Sequence, residues 1–147
     1  MSKKTDFDLI EFLPYLLNQA AEACSLEFRD TYRERYGMSR SEWRVLFHLG
    51  RYGTMTANEI CARAKMHKTE ISRAVQKLAQ RRFLARKTDP DDRRRENLEL
   101  TAAGTRAFLD LKSEAADYNH RLTQDLSAQE AEVLVGVLQR LSKLQCV

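Results

Sequence analysis

A chain of 147 residues and 17.1 kDa has the size of a single domain, and its 43% apolar residues can form a core, which excludes wholesale disorder. No stretch approaches the roughly 18 uncharged apolar residues of a membrane span, and the first residues lack the apolar core of a secretory signal, so we expect a cytoplasmic protein. Three cysteines without metal-ligand spacing, Cys24, Cys61 and Cys146, indicate neither a disulfide framework nor a zinc site.

The net charge of +4 is unevenly distributed along the chain. Between Arg63 and Arg95 there are twelve basic residues and four acidic ones, so the rest of the chain carries an acidic excess. A basic segment in the middle of a mildly acidic chain is typical of an element that binds a polyanion. A solvated surface would give the same count, and only the placement of the charges on local structure separates the two interpretations.

The first predicted helix runs from about Pro14 to Tyr36, and the second begins at a capping sequence, Ser39-Arg-Ser-Glu42. Gly50 and Gly53 mark the predicted end of this second helix. The first helix carries a wide apolar stripe at helical spacing: Leu13, Leu16, Leu17, Ala20, Cys24 and Phe28.

Two further helices joined by a tight turn follow. Thr56-Ala-Asn-Glu59 starts one that stops near Lys65, and His67 starts the other. The apolar residues of the second of these recur every three or four positions: Ile71, Ala74, Val75 and Leu78. Its polar and basic side chains are therefore predicted to lie on the opposite faces: Lys68, Thr69, Ser72, Arg73, Gln76 and Lys77.

After Arg82 the periodicity changes from helix to strand. Residues 83–87 and 97–100 are predicted to form a hairpin, and the loop between them has the Pro and Asp residues of a turn, followed by three arginines. Thr101 then caps a long helix, and Ser127-Ala-Gln-Glu130 caps the last one. Both carry apolar stripes: Phe108, Leu111, Ala115, Tyr118 and Leu122 on the former, and Val133, Leu134, Val137, Leu138, Leu141 and Leu144 on the latter.

These elements predict a mainly α protein with a small β-hairpin wing, a winged helix-turn-helix. We expect a single domain over residues 1–147, in which residues 39–101 form a DNA-binding winged helix. The helices of residues 8–36 and 102–147 are expected to dimerise, because terminal helices this apolar need cover that a second copy can supply. Packing within the monomer alone is the alternative.

Four stretches resemble the MarR (multiple antibiotic resistance regulator) family of transcription factors: Ser39-Arg-Ser-Glu-Trp43, Ile71-Ser-Arg-Ala-Val75, Asp89-Pro-Asp-Asp-Arg-Arg94 and Leu98-Glu-Leu-Thr-Ala-Ala-Gly104. The resemblance covers nearly the whole chain and is most specific from Asp89 to Gly104. It implies a homodimer, expected to be a repressor, on double-stranded DNA with a pseudo-palindromic operator. The chain departs from the family at Arg82, where glycine is usual, so we expect the preceding helix to end differently and the wing angle to change.

The resemblance also assigns roles in DNA binding. In a recognition helix that lies in the major groove, Lys68, Thr69, Ser72, Arg73 and Gln76 would contact base edges or nearby phosphates, and Lys77 a phosphate. Similar proteins insert an arginine into the minor groove where this chain has Arg94, and Asp92 would hold its guanidinium extended. Arg93 and Arg95, alternating away along the strand, are predicted to contact phosphates.

Control by a small phenolic or lipophilic effector is a further implication, with Phe12, Tyr15, Trp43, His48 and Tyr118 as candidate pocket residues, although such aromatics are more often core. Cys24 lies on the first helix, where a peroxide-sensing branch of the family places its reactive cysteine, so redox control is an alternative. A winged module without sequence specificity is another. Because the sequence has no phosphate-binding loop, dinucleotide glycine signature or His/Cys cluster, we expect no enzyme activity, cofactor or metal.

Overall fold

The computed structural model describes residues 6–143, so Leu144 and Cys146 lie outside the described residues. In this part the chain forms six α-helices and one antiparallel hairpin, which confirms the predicted fold class: α1 Leu13–Tyr36, α2 Arg40–Tyr52, α3 Ala57–Ala64, α4 Lys68–Gln80, β1 Leu84–Thr88, β2 Glu96–Leu100, α5 Ala102–Leu122 and α6 Ala128–Ser142. A 3-10 turn, Leu9–Glu11, precedes α1. None of these helices is long and apolar enough to cross a membrane.

The chain divides into two compact units, residues 1–113 and residues 114–147. The first contains α1 to α4, the hairpin and the first half of α5, whereas the second contains the rest of α5 and α6. Three predicted helix caps are confirmed, because Ser39, Thr56 and Ser127 each accept a hydrogen bond from the amide of the glutamate three residues later, at 3.2, 3.2 and 3.0 Å. The single domain over residues 1–147 stays a prediction.

The core of the first unit lies between α2, α3, α4 and the hairpin. Apolar side chains from all of them are buried: Val45, Leu46, Leu49, Ile60, Ile71, Ala74, Val75, Leu78, Leu84 and Leu98. The four predicted inward residues of α4 are among them, so the orientation predicted for this helix is confirmed. Burial of this stripe fixes which face of α4 is exposed to solvent.

Of the two glycines predicted to mark the end of α2, Gly53 does so and Gly50 does not. Gly50, expected to mark the end of α2, lies inside the helix, which continues to Tyr52 and ends at Gly53 with φ of 79°. Gly50 is needed for a different reason, because a Cβ atom there would lie 2.4 Å from Cδ2 of Phe108 in α5. The glycine marks a close helix contact that local periodicity does not reveal.

The end of α4 also differs from expectation. Arg82 takes the left-handed conformation, with φ of 63°, that glycine would supply at this position. The amide of Phe83 donates to the carbonyl of Leu78 at 2.9 Å, and the amide of Arg82 donates to that of Ala79 at 3.0 Å. These bonds form a Schellman motif, so the prediction that the helix ends differently without glycine is wrong.

The start of α5 holds the turn that joins α4 to the wing. The hydroxyl of Thr101 donates to the carbonyl of Arg82 at 2.6 Å and accepts from the amide of Gly104 at 3.0 Å. The amide of Thr101 donates to the carbonyl of Phe83 at 3.1 Å. A Cβ atom at Gly104 would lie 1.9 Å from that carbonyl oxygen, so only glycine fits there. We call the contact between Gly104 and the carbonyl of Phe83 the α5 junction.

The end of α1 is tied to α5 within the first unit. Asp110 accepts hydrogen bonds from the hydroxyl of Tyr36 at 2.7 Å and from Nη1 of Arg35 at 3.0 Å. The bond from Tyr36, with that from Arg35, holds the pKa of Asp110 below its usual value. Burial, reinforced by Asp110, raises the pKa of Tyr36.

We expect Arg82→Gly to raise the free energy of unfolding by about 0.5–1 kcal/mol, because relief of left-handed strain outweighs the extra chain entropy that glycine loses on folding. Lys77→Gly, in the exposed interior of α4, should instead lower it by about 1 kcal/mol. Urea denaturation of both variants checks this. A loss of stability in Arg82→Gly similar to that in Lys77→Gly would contradict the strain at this residue.

Candidate nucleic-acid interface

The exposed face of α4 carries every predicted contact residue of that helix. The six side chains are all exposed: Lys68, Thr69, Ser72, Arg73, Gln76 and Lys77. With thirteen residues the helix is about 20 Å long, and its diameter matches the width of the major groove of B-DNA. The arrangement therefore offers hydrogen-bond donors and positive charge along one helix face.

A depression of about 160 Å³ separates α4 from the start of α2. Polar side chains from both helices line it: Ser39, Ser41, Glu42, Glu70, Arg73 and Lys77. Glu42 is the only buried charged side chain in the described part of the chain, and it accepts a hydrogen bond from the hydroxyl of Ser39 at 3.1 Å. Its other oxygen lies 4.0 Å from Nη1 of Arg81, so an ion pair links the start of α2 to the end of α4.

The wing tip differs from the prediction. Arg93 and Arg94 lie in the turn and Arg95 just before β2, so they do not alternate along a strand, because β2 begins only at Glu96. Asp92 accepts a hydrogen bond from the backbone amide of Arg94 at 3.0 Å through its side chain, and its carbonyl accepts from the amide of Arg95 at 2.9 Å. Asp92 thus shapes the backbone of the turn, whereas we predicted that it would hold the Arg94 guanidinium.

Arg95 is engaged by neighbouring side chains. Its Nη2 lies 2.7 Å from Oε1 of Glu59 in α3, and its Nε lies 3.8 Å from Oδ2 of Asp89. The same Nε donates to Oδ1 of Asn97 at 3.2 Å. The two preceding arginines are exposed and form no ion pair with the described residues. Of the three wing-tip arginines, Arg95 is thus the one held against the protein.

The predicted effector residues are divided between the two units: Phe12, Tyr15, Trp43 and His48 belong to the first, and Tyr118 belongs to the second. The ring of Phe12, the N-cap of α1, packs 5.2 Å from the ring of Phe7. His48 is half-buried beside Tyr52, with its Nδ1 2.6 Å from a carbonyl of its own helix. These ring contacts do not join Phe12 and His48 to Trp43.

Trp43 lies in an aromatic cluster between α1 and α2. Its ring stacks on Tyr32 at 5.6 Å and lies 5.4 Å from Phe28 and 4.8 Å from Phe47. Its Nε1 is buried and has no hydrogen-bond partner among the described residues, as is the case for Nε of Arg29. Sequence reasoning missed Arg29. The spacing of Phe28 and Tyr32 could indicate the cluster, but only the structure reveals the two unpartnered donors.

Each unit exposes apolar side chains from its terminal segment. In the first unit these are Phe7, Leu9, Ile10, Phe12, Leu13, Leu16, Leu17 and Leu26. In the second they are Leu122, Val133, Leu134, Val135, Leu138 and Leu141, and a groove of about 550 Å³ runs beside Val133 and Leu134. Large exposed apolar surfaces mark sites of association.

Cys24 is exposed on α1 and Cys61 is half-buried on α3. Cys24 is thus accessible in this chain, whereas most cysteines outside disulfides are buried. No cluster of His, Cys, Asp and Glu within residues 6–143 could hold a metal ion.

Residues 36–95 match the model of the MarR family. The structure is similar to that of a probable transcriptional regulator from Pseudomonas aeruginosa, at 29% identity over 91% of this chain and 99% of that chain, with a TM-score of 0.74. It is also similar to the MarR family transcriptional regulator SPO1453 from Silicibacter pomeroyi DSS-3, at 27% identity over 95% and 98% of the two chains, with a TM-score of 0.82.

A third similar structure, at 20% identity over 96% of this chain and 100% of that chain with a TM-score of 0.85, is that of Bordetella bronchiseptica BpsR, whose DNA binding is regulated by 6-hydroxynicotinic acid. No curated protein matches the chain.

We expect Asp92→Asn to preserve the wing turn and Asp92→Ala to loosen it, because the amide oxygen of asparagine can still accept the hydrogen bond from the Arg94 amide. Hydrogen exchange of the Arg94 amide measures the difference. Faster exchange in Asp92→Asn than in Asp92→Ala would contradict the role of Asp92 as a backbone acceptor.

Proposed function

We propose that the chain is a transcriptional regulator of the MarR family, a homodimeric repressor that binds a pseudo-palindromic operator in double-stranded DNA. As a member of this family it is a transcriptional regulator and not an enzyme. The observation that carries the proposal is the exposed polar and basic face of α4 beside a wing tipped with two arginines that form no ion pair with the described residues.

The face of α4 supplies the contacts that read sequence. Arg73 and Gln76 carry donors and acceptors that suit guanine and adenine edges in the major groove, and Ser72 can bond to either. Lys68 and Thr69 lie in the first turn of α4, where a recognition helix meets bases or phosphates. Lys77 is assigned to a phosphate: it contacts no base, so it contributes affinity but not sequence preference.

The wing supplies contacts beside this groove. Arg94 enters the adjacent minor groove, where a narrow A·T-rich segment concentrates negative potential. Arg93 contacts a phosphate. The bond from the Arg94 amide to Asp92 supports this division of roles, because it fixes the turn from which both side chains project.

Dimerisation is supported by the exposed apolar side chains of α6, the start of α1 and the segment before it. Phe7, Ile10 and Leu13 are 72%, 67% and 59% exposed, and Val133 of α6 is 57% exposed, which is costly in water and is relieved when a second copy covers them. A two-fold dimer presents two α4 helices to half-sites one helical turn apart, about 10 base pairs.

The effector that we propose is a small hydroxylated aromatic acid bound at the Trp43 cluster and releasing the operator. An aromatic ring can stack within a cluster of aromatic side chains. Carboxylate and hydroxyl oxygens can accept from Nε1 of Trp43 and Nε of Arg29, which are buried and have no partner in the part of the chain that the structure describes. The regulation of BpsR by 6-hydroxynicotinic acid supports this class of molecule.

We expect Arg94→Ala to weaken binding to an operator selected from random DNA by about 1–3 kcal/mol, or roughly five- to 150-fold, because its minor-groove contact is lost. Arg140→Ala on α6, which removes the same charge from an exposed position, is the control and should change the affinity little. Titration of labelled duplex at physiological salt measures both.

A chain that sediments as a monomer and binds no duplex at low ionic strength would overturn the proposed function. Equal affinity for all duplexes would instead favour a winged module without sequence specificity.

Trp43 is the only tryptophan of the chain, so its fluorescence reports on the cluster. We expect 6-hydroxynicotinic acid or a related hydroxylated aromatic acid to quench this fluorescence and to release operator DNA, and Arg29→Met to weaken both effects together. Release without any change in fluorescence would place the effector elsewhere. Release by peroxide from the wild type but not from Cys24→Ser would support redox control instead.

A further inference from the structure

Two contacts attach the wing to the segment around α3. The first is a backbone bridge in which the amide of Met55 donates to the carbonyl of Leu98 at 3.1 Å and the amide of Leu98 donates to that of Met55 at 2.8 Å. The second is the ion pair between Arg95 and Glu59, at 2.7 Å. The bridge holds the middle of β2, whereas the ion pair lies next to the tip of the hairpin.

The carboxylate of Glu59 is fixed in place by the start of α3. Its Oε1 accepts from the hydroxyl of Thr56 at 3.2 Å, and the same hydroxyl accepts from the Glu59 amide at 3.2 Å. Since Thr56 is the N-cap of α3, the oxygen that binds Arg95 has a defined position relative to the helix-turn-helix. The ion pair therefore joins the wing to a fixed point of the fold.

Two backbone hydrogen bonds connect Arg95 to the wing tip. Its amide donates to the carbonyl of Asp92, and its carbonyl accepts from the amide of Asp89, both at 2.9 Å. Arg94 lies within the turn that these two bonds close. A guanidinium flanked by the carboxylates of Glu59 and Asp89 attracts a phosphate less strongly than an unpaired guanidinium does.

We propose that Arg95 is a positioning residue that docks the wing on α3 and sets the place of Arg94 relative to α4. This inference rests on the proposed function and replaces the phosphate contact predicted from the sequence. An exposed ion pair contributes little to stability, but this one fixes the position of Arg94, which contacts the DNA.

The two roles of Arg95 predict opposite effects at Glu59. If Arg95 bound a phosphate, Glu59 would compete with the DNA, so Glu59→Gln would strengthen binding and Arg95→Gln would reduce the slope of log affinity against log salt by about 1. If Arg95 positions the wing, both substitutions weaken binding and leave that slope unchanged.

We expect Glu59→Gln and Arg95→Gln each to weaken operator binding about two- to fivefold, the scale of an exposed ion pair. The charge swap Glu59→Arg with Arg95→Glu should recover most of the loss, since it rebuilds the pair in reverse. Glu96→Gln is the matched control, because it removes the same charge from the wing and breaks only the pair with Arg86 inside the hairpin, at 3.7 Å. It should not weaken binding.

Hydrogen exchange of the free protein tests the docking without DNA. We expect the amides of Arg95 and Leu98 to exchange faster in Glu59→Gln, near the wild-type rate in the charge swap, and at the wild-type rate in Glu96→Gln. Unchanged exchange in Glu59→Gln, or operator binding as tight as that of the wild type, would overturn the inference. If the wild type bound no duplex, the proposed function would fail, and the exchange rates would still decide whether Glu59 docks the wing.

Discussion

The burial of one apolar stripe on α4 is the constraint on which the rest of the first unit depends. Ile71, Ala74, Val75 and Leu78 are all within 3% of complete burial, so the rotation of the helix about its axis is fixed by the core. Every polar side chain of α4 that we assign to DNA lies on the faces that this burial leaves outside. In the proposed function, these residues thus depend on packing that they do not themselves make.

Around this helix, two ion pairs connect neighbouring elements of the fold. Glu42 and Arg81 connect the start of α2 with the end of α4, and Arg95 and Glu59 connect the wing with α3. Neither pair is expected to add much stability, because each includes a solvent-accessible arginine. In the function that we propose their importance is geometric, because α4 and the wing must contact one duplex at the same time, and an error of a few degrees at the base of the hairpin displaces its tip.

Local patterns were sufficient for most of the fold. Three caps, the inward residues of α4 and the hairpin follow from nearest-neighbour chemistry, and the structure confirms them. The errors occurred where a distant residue decides the outcome. Gly50 was assigned to a helix end because nothing nearby in sequence indicates Phe108, and Arg82 was expected to alter the helix end because the support from Thr101 comes from nineteen positions away.

In the candidate site too, local sequence patterns predict some features and distant residues decide the others. The exposed residues of α4 could be predicted because helical periodicity determines their face, whereas the engagement of Arg95 could not, because Glu59 is 36 positions away. The unpartnered donors of Arg29 and Trp43 depend on burial, which spacing alone does not determine.

The α5 junction has a mechanical consequence. Only a hydrogen atom fits between the α carbon of Gly104 and the carbonyl of Phe83. The first turn of α5 therefore cannot move along or rotate about its axis unless the hairpin moves with it. The half of α5 that lies in the first unit is therefore coupled at its N-terminal end to the residue that leads into β1.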